Sequence, residues 1–497
     1  MDICELAASV RSCRSSSVNE KRQRMDQMPL YEIADEELIP GLPNDVALQC
    51  LVRIPVQAHA QLQRVSRKWR ELVNSSQYYE ERKREGTTMH FVCTVQALDQ
   101  QSKIKRRQQQ QQQSTTTASN SPSAASSSPP PPPPVLGVSV LNPRERTREQ
   151  RLPHILQHPH GLPLFCRLVG VNGKLVVLGG WDPVTWETLR SVYVYHFSSQ
   201  SWRRGADIPS TRSSFACGVL NDRYVFVAGG HDNRKSALAT AEVYDLEKDE
   251  WRILPRMSEE RDESIAVNLN GKLYVISGYS TEVPGQFLKS ADVYEPEKNS
   301  WTRIEDMWSR PSSMQQRQQQ QQQQQQAEDH DLSSSSAGRV FTVLSGTLYS
   351  LDHNTLFSYS ATNNTWSSVA TLPSAADHDQ LQLGLELNAA GAVCSLTAVK
   401  DSLLLLLAAG PSAAAASSSR MSSSSRAQEV PDHHQAFKAF VYKPPSPFRL
   451  STAAAAAEEL LQEGGSRFSS CTTQWEAIGC KANGFLSVPQ FACAVEV

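Results

Sequence analysis

The chain has 497 residues, enough for two or three domains. Its formal net charge of −2 gives no general attraction for nucleic acids or membrane surfaces, so neither is expected as a partner. The ten cysteines include no CxxC pair with His ligands nearby, which argues against a RING-type zinc cross-brace and indicates reduced thiols in the cytoplasm and/or nucleus.

Residues 1–37 are predicted to be a disordered tail, and residues 38–85 a small helical module. After Leu42-Pro43, a first helix is predicted to carry one apolar face formed by Val46, Cys50 and Ile54, with Ala47 and Leu51 beside it. Pro55 ends this helix. A second helix repeats apolar residues at alternating spacings of four and three: Ala58, Leu62, Val65, Trp69 and Leu72.

This order and spacing resembles the F-box over about 35 residues. In that family the module docks on the Skp1 adaptor of a cullin–RING ubiquitin ligase by filling a groove with an amphipathic helical surface. The resemblance implies six docking residues, some of which must instead form the core of the module: Leu42, Pro43, Leu51, Ile54, Pro55 and Val65. The alternative is a generic helical cap packed on the domain that follows.

Low-complexity tracts predict where the domains end. Glutamine and proline runs at 108–113 and 129–134 indicate a disordered linker over residues 100–150, because such tracts bury too little apolar surface to fold. The second domain is predicted over 160–497, with disordered insertions near 311–338, 411–435 and 443–470. No secretory signal is expected, and the most apolar run, at 403–409, is far shorter than the roughly 20 residues of a membrane-spanning helix.

A repeat runs through this second domain. An apolar strand ending in glycine recurs at Gly179-Gly180, Gly229-Gly230 and Gly278, and the last glycines of the three strands are 50 and 48 residues apart. A second strand carries a tyrosine, and a tryptophan follows seven residues later in four units: Tyr195 and Trp202, Tyr244 and Trp251, Tyr294 and Trp301, Tyr359 and Trp366. The polar turn between each pair indicates a β-hairpin. These residues are interpreted as the structural core of the repeat.

The period and its glycine, tyrosine and tryptophan positions resemble the kelch repeat, in which each unit is one four-stranded propeller blade. The fold class is therefore predicted as mainly β: a kelch-type β-propeller of about five blades, possibly six, preceded by a small all-α F-box module. The fourth unit lacks the glycine pair. A fifth is assembled from 403–410, 440–442 and Trp475, and residues 491–495 are predicted to close the ring against the first blade.

Several peptides outside the generic repeat carry a narrower resemblance. Residues 161–166, 181–186, 228–232 and 260–263 look like those of plant F-box/kelch proteins that target phenylalanine ammonia-lyase for degradation. This resemblance implies a role in restraining phenylpropanoid synthesis. Sister members of that group act on other proteins, including hormone-response regulators, so the substrate stays open.

The loops after each glycine strand and the loops between blades are expected to share one face of the propeller. Exposed aromatic and arginine side chains are the usual anchors of protein interfaces. We therefore expect substrate to bind at seven residues of these loops: Trp181, Trp186, Arg212, His231, Asp232, Arg261 and Tyr279. The alternative is that Trp181 or Trp186 packs down onto its blade.

Catalysis by this chain is not expected. The sequence contains no glycine-rich phosphate loop and no Gly-x-Ser-x-Gly elbow, and its histidines lie mainly in linkers, with His231 and His353 in separate blades. No metal ligand or cofactor is predicted. The predicted function is a substrate adaptor that brings a protein target close to the E2 enzyme of the ligase. The alternative is a kelch-repeat interaction scaffold without a ligase role.

Overall fold

The computed structural model describes residues 37–97, 135–143, 149–156, 158, 161–308, 340–352, 355–372, 393–408, 438–444, 475–478 and 492–497. The predicted insertions and nearly all of the predicted N-terminal tail lie outside these residues. The described residues begin with four helices: α1 (Asn44–Leu51), α2 (His59–Leu62), α3 (Arg67–Asn74) and α4 (Ser76–Arg84), with a 3-10 turn at Val56–Ala58. Within the described ranges, no helix combines the length and the apolar character needed to cross a bilayer.

The helical module has its own small core. Leu51, Val52, Leu72, Val73 and Tyr78 are buried together, and each of the last two helices begins with a capping serine. The Oγ atoms of these caps accept hydrogen bonds from backbone N–H groups that a helix start would otherwise leave unpaired. The module therefore folds as a unit of short helices.

One expectation about the first helix is wrong. Its buried residues are Ala47 and Leu51, whereas Val46 and Cys50 are exposed and Ile54 lies beyond the helix end. The core-facing side of α1 is therefore displaced by one residue from the predicted face. Val46 and Cys50 are left on the surface.

Twenty-four strands follow among the described residues. The first seven are β1 (His90–Ala97), β2 (Leu136–Leu141), β3 (Glu149–Arg151), β4 (Arg167–Val171), β5 (Lys174–Leu178), β6 (Val192–His196) and β7 (Ser201–Arg204). The next eight are β8 (Ala216–Leu220), β9 (Tyr224–Ala228), β10 (Ala241–Asp245), β11 (Glu250–Ile253), β12 (Ile265–Leu269), β13 (Lys272–Ile276), β14 (Ala291–Glu295) and β15 (Ser300–Ile304). The last nine are β16 (Val340–Leu344), β17 (Thr347–Asp352), β18 (Thr355–Ser360), β19 (Thr365–Thr371), β20 (Val393–Val399), β21 (Ser402–Ala408), β22 (Lys438–Tyr442), β23 (Trp475–Ile478) and β24 (Ala492–Glu496).

These strands form six antiparallel four-stranded sheets, the blades of a propeller. Blades 1 to 5 are the consecutive groups β4–β7, β8–β11, β12–β15, β16–β19 and β20–β23. Blade 6 has the order β24-β1-β2-β3, so its inner strand comes from the end of the chain and its other three strands from the beginning. The inner strands β24, β4, β8, β12, β16 and β20 lie side by side in a closed ring. The predicted kelch-type propeller is confirmed, with six blades.

The propeller begins earlier than the predicted boundary at residue 160. β2 and β3 lie inside the predicted linker at 100–150, and β1 precedes it. β24 overlaps the predicted closing strand at 491–495, but it pairs with β1 from His90↔Glu496 to Thr94↔Ala492 and so completes blade 6. Pairing the two ends of the chain leaves no open sheet edge at the seam.

The regular Tyr-to-Trp spacing has two geometric consequences. In each of blades 1 to 4 the two residues are direct cross-strand partners, with ring centroids 5.0–5.2 Å apart. Each indole Nε1 then donates to a carbonyl just after the last strand of the preceding blade, at Pro153, Ala206, Pro255 or Met307. The repeat thus joins neighbouring blades as well as the strands within a blade. Tyr442 pairs with Trp475 in the same way in blade 5.

The glycine pair allows close contact between backbones. Gly229 and Gly230 have φ values of +65° and +80°, and a Cβ on either would come within 2.3 Å of a backbone oxygen, that of Arg261 or Ser213. The Gly230 N–H donates to the Arg261 carbonyl at 2.9 Å. Only glycine combines this conformation with so little space. The pair therefore joins blade 2 to the segment that enters blade 3.

The helical module packs on one face of the ring, called here the F-box face. α4 contacts the loops that join the first and second strands of blades 1 and 2. The Tyr79 hydroxyl donates to Asp222 at 2.9 Å, and the Asn172 amide donates to Ser76 at 3.1 Å. Gly173 lies directly against the Tyr79 ring. The loops after the glycine strands and between the blades occupy the opposite face, called here the loop face.

Candidate protein-binding face

The loop face of blades 1 to 3 is a connected surface. Both the backbone N–H and the hydroxyl of Thr188 donate to Oδ1 of Asn233 at 2.6 Å, which joins the loop of blade 1 to that of blade 2. The Ala237 N–H donates to the Thr281 hydroxyl at 2.8 Å, which joins blade 2 to blade 3. Side chains on these loops are therefore held on one supported platform.

Two exposed aromatic residues on this face have an unusual backbone conformation. Trp186 is 58 % exposed at φ +60°, and Phe165 is 51 % exposed at φ +55°. Bulky residues rarely adopt positive φ, which costs about 1–2 kcal/mol per residue. The surrounding loop holds Trp186 there, because its N–H donates to the Asp182 carbonyl and the Asp182 N–H donates to the Glu187 carbonyl, both at 2.9 Å. Ser214 and Lys235 have the same conformation at the corresponding positions of blade 2, so the repeated loop geometry presents these side chains at the surface.

Trp181 connects these side chains into an aromatic patch, defined here as Phe165, Trp181 and Trp186. Edge-to-face contacts join the Trp181 ring to Phe165 at 5.9 Å and to Trp186 at 6.2 Å between centroids. His231 lies edge-on to the same ring at 5.4 Å, and Nζ of Lys235 lies 5.6 Å from its centroid. Trp181 is half-buried at the base of the patch while Trp186 stands out from it.

The interpretation of Arg212 and Arg261 as exposed anchors is wrong, because both side chains are completely buried. Arg212 forms an ion pair with Glu242 and donates to the Gly229 carbonyl at 2.8 Å. Arg261 pairs with Asp292 at 2.7 Å and donates to the Ser277 carbonyl at 2.8 Å. Each arginine donates hydrogen bonds to backbone carbonyls at the end of a glycine strand. Sequence alone predicts the right face for these residues but not their depth.

The remaining three predicted residues lie on this face with internal partners. His231 is buried, and its Nδ1 lies 2.9 Å from both carboxylate oxygens of Asp262. Asp232 is half-buried and accepts from two N–H groups of its own loop. The Tyr279 hydroxyl donates to Glu263 at 3.2 Å, and burial together with Asp262 and Glu263 raises the pKa of this phenol. Phe165, which was not predicted, belongs to the patch. Its signal in the sequence is its position just before the inner strand β4.

The six predicted docking residues of the helical module divide into core and surface. Leu51 is 1 % exposed and belongs to the core, while Leu42 and Ile54 are half-buried. Pro43, Pro55 and Val65 are exposed, Val65 by 63 %. Val46, 42 % exposed, adds to the apolar surface. The module contacts the propeller through other residues, among them Val56, Asn74 and Tyr79.

The thiols of Cys166 and Cys217 lie at the inner strands of blades 1 and 2. Burial raises the pKa of the Cys166 and Cys217 thiols to about 12, so neither forms a reactive thiolate near neutral pH. Over the ranges that the structure describes, no three His, Cys, Asp or Glu side chains converge as metal ligands.

Comparison with known proteins agrees with the two modules. The F-box domain family matches residues 39–81, and the KLHDC2/KLHL20/DRC7 Kelch-repeats domain family matches residues 166–380. F-box/kelch-repeat protein At2g44130 of Arabidopsis thaliana is 40 % identical over 283 residues, covering 56 % of this chain and 67 % of that protein.

Two further Arabidopsis thaliana relatives match at similar levels. F-box/kelch-repeat protein SKIP20 is 37 % identical over 284 residues, covering 55 % of this chain and 68 % of its own length. F-box/kelch-repeat protein At1g15670 is 40 % identical over 267 residues, covering 54 % of this chain and 69 % of its own length. All three combine the same two modules in their names.

Proposed function

This chain belongs to the F-box/kelch-repeat proteins, and from that premise we propose that it is the substrate-recognition subunit of an SCF-type ubiquitin ligase. The F-box implies a partnership with Skp1 and a cullin, and the kelch propeller implies a protein substrate. Proteins of this family are typically non-catalytic adaptors. The chain would position a target for ubiquitin transfer that the other subunits carry out.

The observation that carries this proposal is the placement of the two modules. The F-box packs on one face of the ring through Tyr79 and Asp222, and the aromatic patch lies on the other face. The exposed apolar residues of the F-box remain free of the propeller contact. One molecule can therefore hold Skp1 and a substrate at the same time without competition for surface.

For the substrate we propose phenylalanine ammonia-lyase, so that the chain restrains phenylpropanoid synthesis in the cytoplasm and/or nucleus. The support is the resemblance of the loop peptides at 181–186, 228–232 and 260–263 to proteins with that target. These peptides belong to the loop face, where Trp181, Trp186 and His231 lie together. The substrate proposal is independent of the adaptor proposal and can fail alone.

One purification experiment tests both proposals. The tagged full-length chain is recovered from plant cells in which the proteasome is inhibited, and the bound proteins are identified by mass spectrometry. We expect a Skp1-like protein, a cullin and phenylalanine ammonia-lyase. Recovery of a target without Skp1 or cullin would instead support an interaction scaffold. Recovery of Skp1 with a different, proteasome-sensitive protein would overturn only the proposed substrate.

A further inference from the structure

We propose that the aromatic patch and its surroundings recognise an acidic protein segment that carries an apolar anchor residue. This inference rests on the adaptor function proposed above and names the chemistry of its substrate site. Phe165 and Trp186 supply the apolar contact, being exposed by 51 % and 58 % on strained backbone. Large aromatic side chains presented in this way are typical interface anchors. The residues around the patch indicate which charge the bound segment should carry beside its apolar anchor.

Three exposed cations of the loop segments of blades 1 and 2 form what is called here the basic rim: Arg190, Arg234 and Lys235. In the part of the chain that the structure describes, none of the three has a carboxylate at ion-pair distance, and Lys235 instead lies over the Trp181 ring. Some cations elsewhere on the propeller are paired instead: Arg223 with Asp245, and Lys272 with Glu295. The basic rim therefore has charge available for a partner.

The carboxylates of the same loops are directed inwards, with one exception. Asp182 accepts from the backbone N–H groups of Val184 and Thr185, and Asp232 accepts from those of Arg234 and Ser236. Both aspartates are half-buried. Glu187 is the exposed acidic residue beside Trp186. Among the exposed side chains of the two loops, three cations therefore stand against one carboxylate.

Two buried polar atoms beside the patch also lack a partner. Among the described residues, the Trp181 Nε1–H, which can only donate, has no acceptor. Nε2 of His231 has no hydrogen-bond partner there either. Because Nδ1 of His231 faces the Asp262 carboxylate, Nε2 is the nitrogen left for a ligand, and His231 is 92 % buried. A buried donor without an acceptor destabilises the protein. A carboxylate from the partner would accept from the Trp181 Nε1–H and would also neutralise the basic rim.

The test uses purified full-length protein with its Skp1-like adaptor and three fluorescent synthetic peptides. All three share a central Leu-Phe anchor, which is flanked by glutamate, serine or lysine residues. Fluorescence anisotropy should rank their affinities in that order. Raising the ionic strength from about 0.05 to about 0.5 M should lower the affinity for the glutamate peptide and leave the affinity for the serine peptide unchanged, because salt screens exposed charges.

Charge reversal with a matched control decides the outcome. The double variant Arg234→Glu/Lys235→Glu should bind the glutamate peptide about tenfold more weakly and the lysine peptide more tightly. The control Lys248→Glu/Arg252→Glu makes the same change in net charge at exposed cations away from the loop face, and it should leave both affinities unchanged. Equal binding of the three peptides, no binding by any of them, or an equal effect of the control would overturn the inference. Loss of Skp1 co-purification would count against the adaptor function alone, since the peptide affinities are read on the propeller.

Discussion

Tyr79 of the F-box donates its hydroxyl hydrogen to Asp222 of blade 2, across a 2.9 Å contact that joins the two modules. The same carboxylate accepts from the Asn172 backbone N–H at 2.7 Å and from Lys83 at 3.2 Å. Burial and the neighbouring Asp222 carboxylate raise the pKa of Tyr79, so the phenol stays protonated and donating at any physiological pH. The contacts of Asp222 therefore hold the F-box in its orientation relative to the propeller.

We predict that Asp222→Ala loosens this junction, because it leaves the Tyr79 hydroxyl and the Asn172 N–H without that acceptor, at about 1–3 kcal/mol for each buried donor. Skp1 binding and substrate capture should persist separately, while ubiquitination of the captured substrate should slow. Amide hydrogen exchange across α4 measures the loosening. The control Glu247→Ala removes a carboxylate that pairs with Arg223 without touching the F-box. Unchanged exchange in Asp222→Ala, or equal acceleration in the control, would contradict the prediction.

Replacing Trp186 by glycine should separate binding from stability. Glycine relieves the strain at φ +60°, so the free energy of unfolding should stay the same or rise by about 1 kcal/mol. Capture of the protein substrate should fall about tenfold or more, because an exposed anchor is lost. Thermal unfolding and a substrate pull-down measure the two effects. Ile253→Ala serves as the control, since Ile253 is 71 % exposed on an outer strand. A clear loss of stability in Trp186→Gly would indicate a packing role instead.

Arg261→Met should destabilise the propeller whether or not a substrate is present. The change leaves Asp292 buried without its cation, and breaking a buried pair costs about 3–5 kcal/mol. Adding Asp292→Leu should restore more than half of the lost free energy of unfolding, measured by urea titration. Arg204→Met, which removes an exposed ion pair with Asp207, should cost less than about 1 kcal/mol. Equal losses in the two single variants would show that Arg261 is not the structural residue described here.

On the F-box, exposed and buried apolar residues should respond differently to a charge. Val65→Asp combined with Val46→Asp should abolish recovery of Skp1 and leave the helical circular dichroism unchanged, because both side chains are exposed. Leu51→Asp should instead unfold the module, since a charge would be placed in its core. Full-strength Skp1 binding by the double variant would show that the docking surface lies elsewhere.

The F-box should lose stability as the pH falls from about 6.5 towards about 4. His59 is buried, and this burial together with Arg82 lowers its pKa from 6.5 to about 4. The folded pKa lies below the unfolded value, so the folded state holds His59 neutral. Protonation on acidification then favours unfolding, by about 2 kcal/mol at pH 5 relative to pH 7.

His59→Gln should remove this part of the pH dependence. Urea titrations at pH 7 and pH 5, followed by helical circular dichroism, provide the comparison. His196, whose pKa burial lowers to about 3, is present in both proteins and lies in a propeller strand rather than in the F-box. An identical pH dependence in the wild type and in His59→Gln would contradict the role given to His59.

The repeating unit could be predicted from local sequence alone. The interval of seven residues between Tyr244 and Trp251 is a local property of a hairpin, because it reflects the pairing of adjacent strands across one turn. The glycine pair is local in the same sense, since positive φ is required wherever it occurs. The family of the F-box could likewise be read from the spacing of apolar residues along two short helices.

The depth of a side chain and the pairing of distant segments could not be predicted from such local patterns. Arg261 and Trp186 both belong to loops of the same face, yet one is buried on Asp292 and the other projects into solvent. β1 and β24 pair across nearly the whole chain, and no local pattern records the partner of a strand. The F-box face was determined by Tyr79 meeting Asp222, 143 residues apart. Burial and long-range pairing depend on the closed ring as a whole, and a periodicity within one blade carries no information about that closure.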